Sequence, residues 1–180
     1  MSFSTSYPEV KNYIGGHYVS NGQPRRDIIS PIDGRKLSSA PMSGRRDLDA
    51  AVEAATAAFK IWSMVPIKER VQVFFRYKTL MEVHLQELAT MVHMENGKTM
   101  EEATAEIEKS IELTEFACSM PQLISGEVME VSRGVECRTE KKPLGVVASI
   151  APFNFPHMVP HWTVPNAIVL GNAIDRKSVV

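Results

Sequence analysis

Apolar and polar positions change rhythm several times along this chain, and each change predicts a different kind of element. Up to about residue 40 the pattern is short and broken. Asn12 to Val19 alternates in part, and Asn21-Gly22 offers a hairpin-type turn where positive φ is needed. Ile28-Ile29 begins a second extended piece that stops at Pro31, and Asp33-Gly34 predicts a further turn. From Asp47 the rhythm is helical. Leu48, Val52, Ala55, Phe59 and Trp62 recur at steps of three and four, which predicts one buried face. Pro66 suits a first helical position with Glu69 in the first turn, and Val71, Phe74, Phe75 and Met81 give that helix an apolar side. A helix through Leu85, Leu88 and Val92 ends at Asn96-Gly97, where glycine suits the left-handed cap. Thr99 with Glu102 is a capping box that starts another helix, with Ile107, Ile111, Thr114 and Cys118 as its buried stripe.

After Pro121 the rhythm turns extended. Val128–Val131 and Val135–Thr139 read as strands around Arg133-Gly134. Leu144–Ile150 is an almost unbroken apolar run, which predicts a strand buried on both faces of a parallel sheet. A tight Pro-rich loop and a helix through Val169, ending near Gly171, follow it. Strand, loop and helix make the first half of a βαβ unit, so the fold class is α/β. No internal repeat or low-complexity segment appears.

Composition narrows the function classes. Of 180 residues, 44% are hydrophobic and 23% charged, with a net charge of -1, which is globular and offers no basic field for nucleic acid. Cys118 and Cys137 belong to no CxxC and no Cys/His cluster, against both a disulfide framework and a zinc site. The opening MSFSTSYPEV lacks a secretory pattern, and no apolar run reaches the ~18 residues of a membrane span. The expectation is a cytoplasmic protein that binds neither membrane nor nucleic acid.

Ligands of open α/β sheets bind at the carboxyl ends of strands, and Ala151–Phe155 stands there. The same run also reads as a purely structural turn. With no GxGxxG present, the residues alone point to a pocket whose polar group is Asn154.

Five separated stretches carry a resemblance: NYIGGHYV, SPIDGR, AAVEAATAAFKIWS, the ENGKT junction, and IAPFNFPHMVPHW with Gly171-Asn172. From about Lys11 to Asn172 the chain resembles the amino-terminal part of aldehyde dehydrogenases. With Phe rather than Trp at 153, it is most similar to the CoA-acylating methylmalonate-semialdehyde dehydrogenases. The resemblance implies a truncated Rossmann-like NAD-binding domain: strands and helices over 1–123, an oligomerisation hairpin over 124–143, and the first strand-loop-helix of the core over 144–174. It implies Asn154 as the amide donor to a thiohemiacetal oxyanion, and Ile150, Ala151, Pro152 and Phe153 as the residues touching NAD. Phe155 and Trp162 would line the aldehyde tunnel, although ordinary core packing explains them equally well. The implied chemistry is covalent: a cysteine thiolate attacks the aldehyde, hydride passes to NAD, and coenzyme A or water resolves the thioester. In the resembling group the acceptor is coenzyme A and the substrate (methyl)malonate semialdehyde. The assembly implied is a homodimer or homotetramer.

Some residues depart from that pattern. An arginine associated with the substrate carboxylate is matched here by Lys109, which keeps the charge but loses the bidentate fork. His157 and His161 share a helix face, but with no further ligand they do not make a metal site. After Asn172 the family continues into an apolar strand and a KPSE-like turn, whose lysine serves the NAD ribose. This chain reads Ala173, Ile174 and then DRKSVV, which matches one translation frame of a common sequencing adapter. Residues 175–180 are therefore expected to be non-native and the ribose lysine missing. The 144–150 strand should then lack its parallel neighbours, leaving a poorly soluble, inactive fragment without its catalytic cysteine. The competing expectations are a non-acylating dehydrogenase and a stand-alone helical binding module without catalysis.

Overall fold

A computed structural model describes residues 7–178. Two antiparallel pairs come first: β1 (Asn12–Ile14) with β2 (His17–Val19), and β3 (Arg25–Ile29) with β4 (Lys36–Pro41). The β1–β2 hairpin closes at Gly15-Gly16, whose φ of 59° and 85° are the two positive values a primed two-residue turn requires. This corrects the sequence expectation. Asn21-Gly22 instead bends the connection between β2 and β3, with Asn21 donating to the Asp47 carboxylate at 2.9 Å.

Four helices follow: α1 (Arg45–Trp62), α2 (Ile67–Val83), α3 (Leu85–Asn96) and α4 (Met100–Cys118), then the single turn α5 (Met120–Leu123). Their ends lie where local chemistry sets them. Gly97 closes α3 at φ 81°, and the Thr99–Glu102 box opens α4 with both reciprocal bonds formed. The α4 stripe Ile107, Ile111, Thr114 and Cys118 is buried as the period predicts. On α1 the prediction fails in part. Leu48 and Val52 are exposed, Ala55, Phe59 and Trp62 are half-buried or partly exposed, and the buried residue is Asp47. That carboxylate accepts from the Gly44 amide as well as from Asn21 and Gln23, and these bonds hold it below the usual carboxylate range.

The core has two adjoining clusters. Met81, Ala89, Val92, Ala103, Ile107 and Ile111 join α2, α3 and α4. Val71, Phe74, Ala117, Cys118 and Val169 join α2 and α4 to α6 (Met158–Val169), and Tyr77 packs against both. Arg70 is buried beneath α6, where its guanidinium donates to the carbonyls of Val169 at 2.7 Å and Val65 at 2.5 Å.

β5 (Val128–Ser132) and β6 (Val135–Arg138) form an antiparallel hairpin whose side chains are exposed on both faces. β7 (Val146–Ala151) is followed by α6 and then by β8 (Ala173–Ser178), which pairs parallel with β7 from Val146↔Ala173 to Ala151↔Ser178. Two expectations are corrected here. The strand at 144–150 has a parallel neighbour, and the unusual residues 175–178 form part of it. Nor is β7 buried on both faces: Ser149 and Ala151 are buried while Ala148 and Ile150 are exposed. Asn172 fastens the unit, its Oδ1 accepting from the Leu144 and Gly145 amides at 2.6 and 3.1 Å.

Candidate functional site

The loop leaving the carboxyl end of β7 carries Pro152, Phe153, Asn154 and Phe155, all exposed. Ala151 is 2% exposed, so it offers almost no surface there. Ile150 and Phe153 present apolar surface, at 68% and 71% exposure. Opposite Ile150 on the next strand stands Lys177, paired with Asp175. A lysine thus stands on the strand beside β7, within the tail that the sequence analysis expected to be non-native.

Three side chains from the α3–α4 region hold this loop. Asn96 donates its amide to the Phe153 carbonyl at 3.0 Å. Lys98 lays its ammonium over the Phe155 ring, 3.8 Å from the centroid, and pairs with Glu106. The Glu106 carboxylate, fully buried, accepts from the backbone amides of His157 at 2.8 Å and Met158 at 3.1 Å. Its second oxygen faces Lys98. A carboxylate at the first amides of α6 is favoured both by those unsatisfied donors and by the helix dipole.

Beneath the loop runs a string of polar groups. Ser110 donates to the Glu106 carbonyl at 3.0 Å, so its oxygen accepts from His157 Nδ1 at 2.8 Å. His161 Nδ1 donates to the His157 carbonyl at 2.6 Å, leaving Nε2 to accept from the Tyr77 hydroxyl at 2.8 Å. The two imidazoles stack at 4.4 Å. Burial, with the charges of His161 and Arg176 adding, pushes His157 down to about 4 from an ordinary 6.5. Burial lowers His161 and raises Tyr77 in the same way. Both rings are therefore neutral near pH 7, which suits packing rather than proton transfer. Among the described residues no three His, Cys, Asp or Glu side chains gather in a metal-holding group.

The remaining candidates lie elsewhere. Lys109 is exposed on α4 and pairs with Glu112 on the same helix, not with any residue of the loop. Trp162 is 52% exposed on α6. Phe155 borders the loop under the Lys98 charge. Neither cysteine suits attack on a carbonyl: Cys118 is buried on α4 with its thiol pushed up by burial, and Cys137 sits in β6 opposite Met129. Glu106, Lys98 and Asn96 are the site residues that sequence reasoning missed. The signal for Glu106 was a charged residue inside a stripe of buried positions between Ala103 and Ile107. No helix among the described residues is long and apolar enough to cross a membrane.

The aldehyde dehydrogenase family profile matches residues 18–178. Malonate-semialdehyde dehydrogenase 2 of Geobacillus thermodenitrificans is 44% identical over 175 residues, covering 96% of this chain. A crystal structure of methylmalonate-semialdehyde dehydrogenase from Oceanimonas doudoroffii overlays 96% of the chain with a TM-score of 0.92 at 34% identity. Betaine aldehyde dehydrogenase from Staphylococcus aureus, solved with NAD+, overlays 93% at 0.88 and 26% identity. The chain spans about a third of these relatives, 36% of the first two and 35% of the third.

Proposed function

The chain belongs to the aldehyde dehydrogenase family, and from that footing we propose that it supplies the amino-terminal segment of an NAD-dependent enzyme oxidising (methyl)malonate semialdehyde to an acyl-CoA through a cysteine thioester. The observation that carries this reading is Asn154. Its amide stands exposed at the end of β7, between a Phe153 carbonyl tied by Asn96 and a Phe155 ring tied by Lys98. A neutral donor in a loop pinned on both sides can meet developing negative charge with little reorganisation, and that is how it would raise the rate.

The residues present fit a nicotinamide cofactor. Ile150 and Phe153 offer exposed apolar surface to a flat ring, Pro152 between them is exposed as well, and Lys177 stands opposite Ile150. Ile150, Ala151, Pro152 and Phe153 would hold the ring side and Lys177 the ribose hydroxyls. Bound there, NAD supplies the hydride acceptor. The attacking thiol lies outside these residues. Phe155 and Trp162 would border the aldehyde, and Lys109 would attract its carboxylate at longer range, with a point charge in place of a fork. The β5–β6 hairpin, apolar and exposed, would join copies of the enzyme as a homodimer or homotetramer. The names of the relatives, malonate- and methylmalonate-semialdehyde dehydrogenases, support the substrate class.

A chimera tests the reading. Residues 7–174 replace the corresponding segment of the Oceanimonas doudoroffii enzyme, and NADH formation is followed with malonate semialdehyde and coenzyme A. Asn154→Ala should lower kcat by ~10²–10³ with little change in KM, because the lost interaction forms only in the transition state. A variant as fast as its parent removes Asn154 from the chemistry. Formation of free acid, unchanged by coenzyme A, would favour the non-acylating alternative.

A further inference from the structure

We propose that Glu106 is the positioning residue of the Asn154 loop, and that with Lys98 and Asn96 it makes the α3–α4 junction the scaffold on which the oxyanion donor is held. The inference rests on the assignment of Asn154 above, and extends it from the donor to what fixes the donor in place.

Loops are the more mobile parts of a fold, and a donor must be held within about half an ångström of its productive place to act. Residues 152–157 lie between β7 and α6, and the Val159 amide reaches back to the Phe155 carbonyl only at 3.3 Å, so restraint around Asn154 has to come largely from side chains elsewhere. It comes from one short stretch. Asn96 fixes the backbone one residue before Asn154, at the Phe153 carbonyl. Lys98 fixes the ring one residue after it, at Phe155. Glu106 fixes the third and fourth residues after it, at the His157 and Met158 amides. The backbone on both sides of Asn154 is thus tied to α3, α4 and the turn between them.

Glu106 is central because it alone joins two of these restraints. One carboxylate oxygen accepts from both the His157 and Met158 amides while the other holds the Lys98 ammonium against the face of the Phe155 ring. Its burial makes the arrangement stiff. A carboxylate without solvent access has few other places for its charge, and an ammonium beside it cannot swing away without leaving that charge uncompensated. A stability role alone would require only that the charge be balanced. A positioning role requires the acceptor oxygen itself.

That difference gives the test, carried out on the 180-residue chain without cofactor or aldehyde, so that its failure is separable from failure of the dehydrogenase reading. Two charge-neutral double variants are compared: Lys98→Met with Glu106→Gln, which keeps an acceptor oxygen, and Lys98→Met with Glu106→Leu, which removes it. Neither leaves a buried charge unpaired. Amide exchange at His157 and Met158 should be at least about tenfold faster in the leucine variant, and the Asn154 side-chain amide resonances should shift there alone. α3 amides should be equally protected in both. Equal exchange and unchanged Asn154 resonances in the two variants overturn the proposal. So does a wild-type chain whose His157 and Met158 amides show no protection, since the carboxylate would then restrain nothing.

Discussion

At the scale of single residues, the site is held by polar atoms whose roles are fixed by their neighbours. His157 illustrates this. Ser110 uses its proton on the Glu106 carbonyl, so the imidazole must donate, and a neutral ring suffices. The unfolded chain takes up a proton on this ring below about pH 6.5, the folded one only below about 4. The stabilisation is therefore complete above 6.5 and drains away as pH falls towards 4, by up to about 3 kcal/mol at ~1.4 kcal/mol per unit. Urea denaturation at pH 7 and at pH 4.5 should record that loss, and His157→Gln, which can still donate to Ser110, should reduce it. His161, lowered in the same direction, leaves a residual slope. Identical pH dependence in the variant would show that this ring does not titrate as its burial implies. Residue identity was also where the sequence was most and least readable. Asn154 stood out by its place after an apolar strand, and the structure has it exposed in the loop there. Glu106 did not, because one sequence cannot say that a lysine eight positions earlier lies beside it.

Elements show the same division between local and distant causes. Gly97 and the Thr99–Glu102 box mark their helix ends from within a few residues, and the structure has both. Thr99→Ala should lower stability by about 1 kcal/mol in thermal unfolding, since its hydroxyl no longer accepts from the Glu102 amide or donates to the Glu102 carboxylate. Thr56→Ala, on the exposed side of α1, should stay within about 0.5 kcal/mol. Equal losses would mean that the box contributes nothing beyond propensity. Gly97→Ala should cost more than either, combining a left-handed φ with a Cβ only 3.0 Å from Pro31. Where partners are distant the sequence misled. The period of α1 was right, but which side it buries depends on β1 and β8, so Leu48 and Val52 remained outside. On β7, apolar composition suggested two covered faces, yet Ile150 is exposed beside Lys177. The hairpin turn was assigned to Asn21-Gly22 because that pair is the commoner signal, while Gly15-Gly16 has the required geometry.

For the whole molecule, apolar surface is spread unevenly. Val128, Met129, Val131 and Val135 are largely exposed on one hairpin, and such a patch on a small protein favours association. Sedimentation velocity should show concentration-dependent assembly of the 180-residue chain, weakened by Val131→Lys. A monomer at every concentration would end the view of the hairpin as a joining surface. Arg70 bears on the molecule in another way. Its buried guanidinium is satisfied by carbonyls at Val65 and at Val169, groups separated by most of the polypeptide. On a ribosome, the helix bearing it emerges long before the residues that complete its coordination. Until Val169 has left the exit tunnel that cation lacks one of its acceptors, so the face of α2 that carries it can close only once α6 arrives.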